Sequence, residues 1–503
     1  MTQRLRLVFG DIHNHNAHGY GRGSIERSVD IARRHLDFFA FTGHSSWHDL
    51  GDYGGRARHF IEGFRRLKET WTHIQKVIAD ANNDGRFCSF LGFEWHSNRY
   101  GDQCVVFPND HQPLFYTSEL KELRRFCLER SALMIPHHLA YPQGRRGVDW
   151  ESFAPDCTPV VEVFSWHGNG EEDRGLYPFV GGSPGGRQTA GTARAGLARG
   201  LQFGFVASSD NHSGFPGAYG EGLMGAYVSE LTRPAIIDAI QRRRTYALTG
   251  DRIEMDFRVD GHLMGSEIDA GRQVEVSCDI AARDEIESVD LVLNGETISR
   301  AWLEPSSPQL AKTLNSEPYQ VRFEWGWGPW DALGAARIVD WEFAIRLSEG
   351  KIKRAFPCFS SSPFDEHRRH SIERTGEGDI RIRSYTSRKD AYAGNPNQSV
   401  VLELQAPLTA FIVVERNAPG SERHEVPIAA ILEATVPMHV GPVPAESYML
   451  HRIVRASESR IAIKKLLSLD DRPSYVYVRV QQRNGHMAWG SPVFINYARH
   501  SAP

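Results

Sequence analysis

No Cys-x-x-Cys occurs in this chain, and its six cysteines (Cys88, Cys104, Cys127, Cys157, Cys278, Cys358) are widely spaced. That spacing argues against a disulfide framework; buried free thiols in a reducing compartment are expected. No apolar run approaches the ~20 residues that span a bilayer. The stretch leading to Asp11 lacks a signal-length apolar core. A soluble cytoplasmic protein without a membrane partner is the expectation. Charge of one sign is not in excess either: 58 Lys and Arg against 62 Asp and Glu leave a net −4, so no whole-chain basic field draws nucleic acid. The chain has no phosphate-cradling Gly-Lys-Ser/Thr loop, no Gly-x-Ser-x-Gly elbow and no His-Glu-x-x-His, which removes the commonest nucleotide, serine-hydrolase and zincin signatures.

At 503 residues the chain exceeds one ordinary domain, and two or three are expected. Residues 1–250 alternate short apolar strands (Leu5–Ile12, Asp37–Thr42, Phe87–Trp95, Ala132–His137, Pro159–Trp166, Gly204–Ser208) with amphipathic stretches (Ser24–Leu36, Arg58–Ala81, Thr117–Arg130). Ser24 and Thr117 or Ser118 read as N-caps. Repeated β-then-α order predicts an α/β fold with parallel strands, a barrel of (β/α) type. The pattern breaks between Gly168 and Gly200, where the glycine-rich Gly181–Gly186 is flanked by Arg174, Arg187 and Arg194; a loop over the site is expected. From about residue 251 the chain turns β-rich, with alternating segments such as Gln273–Ile280 and Tyr475–Gln481, and a sandwich-like region is expected over 251–503. Cys358–Gln398 is polar and weakly patterned and predicts a long loop or insertion. Ser457–Leu466 is a minor helix candidate.

Five segments in the first half end an apolar run with metal-ligand residue types: Asp11-Ile-His13-Asn-His15, Thr42-Gly-His44, Gly92-Phe-Glu94, Pro136-His137-His138 and Ser209-Asp210-Asn-His212. Strand ends are where a barrel gathers side chains from distant parts of a sequence. Alternate residues of an extended strand point the same way, so His13 and His15 can reach one ion, as can Asp210 and His212 with Asn211 turned away. Asp11 shares their face and would bind metal or orient a ligand. Adjacent strand residues face opposite ways, so only one of His137 and His138 is expected at the metal. Glu94 closes a strongly apolar strand, where an uncompensated carboxylate is costly and a cation is its natural partner. His167, after Val161–Trp166, is a further candidate, and Glu162 is divided between a core layer and a supporting role. His18, His48 and His96 have nothing in their spacing that separates them from surface histidines.

These ligands outnumber the four positions of one tetrahedral ion, so two or three divalent ions are expected, and imidazole with carboxylate suits Zn, Mn or Fe. Such clusters activate water near neutral pH and clamp phosphate or ester oxygens. A hydrolase follows, first of all a phosphoesterase for a small or medium anionic substrate, with His167, His138 and Asp210 as catalytic candidates. Arg22, Arg99 and Arg145 each follow a ligand segment closely and are candidates for the substrate anion. The alternatives are cleavage of a carboxylic ester, lactone or amide by the same ions, or a degenerate barrel whose β-rich half is a binding module. In that half Phe323, Trp325, Trp327 and Trp330 form an aromatic cluster, read first as core or interface. Oligomerisation is left open.

In their order, the five segments resemble the PHP (polymerase and histidinol phosphatase) superfamily. Glu94-Trp95, Val161–Gly168, Ala207–Gly214 and Arg242–Gly250 resemble, more narrowly, a large bacterial branch catalogued as a domain of unknown function. The resemblance covers residues ~9–270, and more thinly Tyr475–Gln481 and Ala488–Pro492. It implies a distorted (β/α)7 barrel holding up to three Zn, Mn or Fe ions. His13, His15, Glu94 and Asp210 would hold one; Glu94 would bridge to a second that also takes His137; His44 and His212 would hold a third. Three positions depart from the family pattern. Gly43 replaces an aspartate before His44, a histidine after His-x-His is matched only if His18 serves, and Gln103 or Asp102 stands where the branch often has histidine.

Overall fold

The computed structural model describes residues 5–52, 55–178, 186–303, 317–326, 338–387, 397–443 and 445–497. The first half is organised around β1 (Arg6–Asp11), β2 (Phe38–Trp47) and β3 (Cys88–His96), three neighbouring parallel strands. Between them run α1 (Ile25–His35) and α2 (Ala57–Ala81). β2 and β3 are buried along their whole length, as parallel strands covered on both faces must be. Ser24 caps α1 by accepting from the Arg27 amide; Glu26 in the first turn and Arg33, Arg34 and His35 in the last suit the helix dipole. α1 buries Ile25, Val29 and Ala32, and α2 buries Leu67, Trp71, Ile74 and Ile78 at helical spacing.

Beyond β3 the topology departs from an all-parallel barrel. β4 (Gln103–Val106) returns antiparallel to β3, because only residues 97–102 separate them and a parallel crossover needs a dozen or more. α3 (Leu120–Glu129) leads to β5 (Leu133–Pro136), antiparallel to β4. Thr117 is not the cap of α3: its hydroxyl accepts from the Glu119 amide, and Glu119 takes the capping position. β6 (Val160–Ser165) pairs antiparallel with the short β7 (Gly168–Asn169) and parallel with β8 (Gly204–Ala207), which follows α4 (Ala193–Ala198). β9 (Leu223–Val228) lies antiparallel to β1, and α5 (Arg233–Gln241) leads to β10 (Thr245–Leu248) beside β9. The chain end of β1 is also tied to the segment after β8, since the His15 amide donates to Asn211 O at 2.8 Å and the Asp210 amide to His13 O at 2.8 Å. The strand ends that carry the predicted ligands are thus pulled together. Gly181–Gly186 falls almost wholly outside the described residues.

Residue 250 is not a clean break. β10 pairs antiparallel with Met487–Gly490, so the carboxy-terminal strands extend the first-half sheet. The rest of the second half is mainly β. Two five-stranded sheets, one centred on Gln398–Gln405 and Tyr319–Trp325, the other on Val339–Leu347 and Asp379–Thr386, share one core of Phe323, Trp325, Phe343, Leu402 and Ile412. Phe323 and Trp325 are therefore core; Trp327 and Trp330 lie outside the described residues. The polar Cys358–Gln398 stretch is not a plain loop: it contains strands Ser371–Arg374 and Asp379–Thr386, whose inward face is apolar and whose outward arginines hide the alternation. Ser457–Leu466 likewise is mostly strand, Arg460–Ser468 following one turn of helix. All six cysteines are buried free thiols. No described helix is long and apolar enough to cross a membrane.

Candidate metal centre

Nine predicted side chains from six segments converge in a buried cluster. His13 and His15 follow β1. His44 sits inside β2, which runs on to Trp47 past a register shift between His44 and Ser46; a bulge of this kind re-aims a side chain. Glu94 lies near the end of β3, His137 and His138 follow β5, His167 follows β6, and Asp210 and His212 follow β8. His13, His15, His44, Glu94, His137 and Asp210 are each at most 2% exposed.

His15 Nε2 lies 3.0 Å from His13 Nε2, 2.9 Å from Asp210 Oδ1 and 3.5 Å from Glu94 Oε2. His13 Nε2 is 3.4 Å from the same Asp210 oxygen and 3.8 Å from Glu94 Oε2. His44 Nε2 is 3.3 Å from Glu94 Oε2 and 3.2 Å from His212 Nε2. Glu94 Oε1 turns the other way, to His137 Nε2 at 2.6 Å and His96 Nδ1 at 3.3 Å. Glu94 Oε2 is buried and accepts no hydrogen bond, although three imidazole nitrogens aim at it. A buried carboxylate oxygen without a partner is costly. A cation among these nitrogens removes the cost, so the donor set fits a divalent ion bound by His and carboxylate.

Behind this layer, Glu162 Oε2 holds His13 Nδ1 at 3.0 Å, which fixes the tautomer that leaves Nε2 free toward the cluster. The Tyr141 hydroxyl favours the opposite tautomer of His167, bonding Nδ1 at 2.8 Å while His167 Nε2 donates to Asp210 Oδ2 at 2.8 Å. Asp11 makes no ligand-like contact. Its two oxygens accept from the amides of His13, Ser209 and Gly217 and from the Ser209 hydroxyl, which stitches the β1 end to the 209–217 loop. Burial raises its carboxyl to about 6 despite those bonds.

The charge states suit a cation. Burial works against ionisation of Glu94, yet His96, His137 and His44 outweigh it and hold the carboxyl well below its ordinary range. Asp210 is likewise held low against burial, by His13 first and then by hydrogen bonds from His138, His15 and His167. Burial pushes His44 and His138 well below the ordinary imidazole value and His15 to about 3. His13 is the exception: burial opposes its charge, yet Cys104, Asp210 and Glu162 hold its imidazole well above the ordinary value. A cation would have to displace that proton, whereas the ionised carboxylates and the other three imidazoles already suit metal binding.

Comparison with known proteins adds similarity without a function. A family described as "Protein of unknown function (DUF3604)" matches residues 218–281, a segment that begins after His212 and holds none of the clustered histidines. An uncharacterized protein of Chlamydia pneumoniae is 25% identical over 252 residues, covering 46% of this chain and 40% of that protein. One of Chlamydia muridarum is 26% identical over 264 residues with the same coverage. The chain thus spans well under half the length of the curated relatives it matches. Among solved structures, a two-domain protein of Bacteroides vulgatus containing a predicted PHP-like metal-dependent phosphoesterase is similar at 16% identity and TM-score 0.35, over 60% of this chain and 84% of that one.

Several sequence expectations are corrected by backbone conformation. His137 and His138 both reach the cluster, because His138 has φ +55° and breaks strand alternation; its Nδ1 meets Asp102 Oδ2 at 3.2 Å and its Nε2 lies 3.6 Å from Asp210 Oδ2. Asp210 also sits at positive φ, +52°. Such conformations cost about 1–3 kcal/mol and persist where surrounding structure holds them. His96 is not a surface residue: it is fully buried between Glu94 and Asp102. His18 lies apart, bonded to Thr70 and near His73. Arg22, Arg99 and Arg145 are exposed, with the Arg99 guanidinium lying over Tyr100. A different arginine, Arg146, reaches the cluster, bonding Asp102 Oδ2 through Nε at 2.7 Å and Nη2 at 2.6 Å. Arg146, Tyr20 (stacked on His44 at 3.6 Å) and Cys104 (grouped with His13 and His137) were missed as parts of the site, while Asp102 was singled out only together with Gln103, as a weaker ligand.

Proposed function

We propose that this chain is a metal-dependent hydrolase, and specifically a phosphoesterase of PHP type with a di- or trinuclear centre. The observation that carries the reading is Glu94 Oε2, buried without a hydrogen bond and ringed by the Nε2 atoms of His44, His15 and His13 at 3.3, 3.5 and 3.8 Å. His13, His15, Glu94 and Asp210 would hold one divalent ion, Glu94 and His137 a second, and His44 with His212 a third. Ions so bound supply Lewis-acid polarisation and an acidified water.

The chain's own groups would do the rest. Glu162 keeps His13 Nε2 aimed inward. Tyr141 orients His167, whose Nε2 against Asp210 is the proton-bearing position best supported for a leaving group. Tyr20 covers His44, and Trp47 and Phe60 pack near it, limiting water. A centre of this kind would also open a carboxylic ester or amide; the Arg146 charge beside it favours an anionic, phosphate-bearing substrate.

The test is metal content per chain after purification without chelator, followed by turnover of aryl phosphates against aryl esters with added Mn or Zn. Two or three bound equivalents and faster phosphate hydrolysis are expected. Metal-replete protein that prefers the esters would replace the phosphoesterase by an esterase. A chain that holds no metal even after addition would defeat the hydrolase reading.

A further inference from the structure

Asp102 and Arg146 form a buried ion pair at the edge of the cluster, and only part of the arginine is used. Asp102 is fully buried. Its Oδ1 accepts from the Ser97 amide at 3.0 Å, and its Oδ2 takes Nε and Nη2 of Arg146 at 2.7 and 2.6 Å. Nη2 also faces His96 Nδ1 at 3.4 Å, and the guanidinium lies over the Trp47 ring at 4.9 Å. Three neighbours therefore fix the plane of the guanidinium. Among the described residues no acceptor engages Nη1, and the side chain keeps 13% of its surface open. The backbone of Arg146 stands at φ +71°, a strained conformation of the kind that accumulates at functional sites.

A planar fork held on one edge with free N–H groups on the other is suited to an oxyanion. Arg146 stands one residue pair away from Glu94, since His96 contacts both. We propose that Arg146 is a substrate-binding residue that takes a non-bridging phosphoryl oxygen through Nη1, with Asp102 as its positioning partner. The substrate class is thereby an anionic phosphate ester, and the inference rests on the reading of the cluster as a phosphoesterase centre.

The experiment measures binding of inorganic phosphate by calorimetry to purified, metal-replete protein, so that it does not depend on turnover. The variants are Arg146→Lys, which keeps a charge against Asp102 but loses the fork, and Arg146→Met. Phosphate binding weakened about tenfold to a hundredfold in both, with metal content unchanged in Arg146→Lys, is the expected result. Added guanidinium should partly restore phosphate affinity to Arg146→Met, which a merely structural role would not produce. Wild-type affinity in Arg146→Lys, or no phosphate binding by the wild type, overturns the inference. Failure of the hydrolase reading is separate: it is metal-replete wild type that binds phosphate yet turns over no phosphate ester.

Discussion

The Nε2 atoms of His13 and His15 lie 3.0 Å apart, and both are within 3.4 Å of the same Asp210 oxygen. Two imidazoles share at most one hydrogen bond at such a point. Glu94 Oε2 stands 3.5 and 3.8 Å from the same pair and accepts none. One divalent cation at their common focus would satisfy all four groups.

Replacing Glu94 by Gln keeps the volume and removes the charge. The variant should lose most bound metal, measured by elemental analysis. Because bound metal stabilises by mass action, chelator should lower the melting temperature of the wild type and leave that of Glu94→Gln nearly unmoved. Equal metal content in the two proteins would sink the assignment.

His44 and His18 differ in their relation to the cluster. His44→Ala should reduce metal stoichiometry, because His44 Nε2 faces Glu94 and His212. His18→Ala should leave stoichiometry at the wild-type value, because His18 is engaged with Thr70 outside the cluster. The reverse result would move the third ion toward α2.

Asp102→Asn leaves the Arg146 guanidinium in the cluster without its counter-charge. Breaking a buried pair by removing one partner costs about 3–5 kcal/mol; Arg146 retains some solvent, so a loss of about 3 kcal/mol in urea unfolding is expected. A loss below 1 kcal/mol would mean that the pair is solvated in solution.

Acid should loosen the junction between the two halves through Asp251. This buried carboxylate accepts from Tyr219, Arg322, Gln482 and Asn484. Burial opposes its ionisation, but Arg322 first and then His486 outweigh it and hold the carboxyl below its ordinary value. A folded-state value below the unfolded one, about 3.9, means the unfolded chain binds the extra proton. The contribution is therefore complete above about pH 5 and is lost as pH falls through 4 and below. Asp251→Asn should be less stable than wild type at pH 7, with a difference that narrows below pH 4. A difference independent of pH would refute the account.

The clustered histidines and carboxylates were legible because they end apolar runs, a pattern that survives without knowledge of the fold. A carboxylate after Phe90-Leu-Gly-Phe93 calls for a compensating partner whatever sheet it belongs to. Period-two reasoning separated His13 from Asn14 and Asp210 from Asn211 correctly in its outcome, since Asn211 turns away to Glu221. The same reasoning failed at His138, whose own left-handed backbone brings its side chain to the same cluster as that of His137. It also failed at β4, whose four residues give too short a pattern to register.

By itself, the sequence determined which residues must be buried together: apolar strands carry their polar ends with them, and those ends are histidines and carboxylates. Only the tertiary structure decided the inner roles. That Asp102, His96 and Arg146 belong to the centre while Arg22, Arg99 and Arg145 remain at the surface depends on a tight β3–β4 return and on positive φ at Arg146 and His138. These are backbone choices fixed by long-range packing, and no residue type announces them. The same holds across residue 250, where composition changes but one sheet continues, because strand pairing joins backbones regardless of where along the chain they lie.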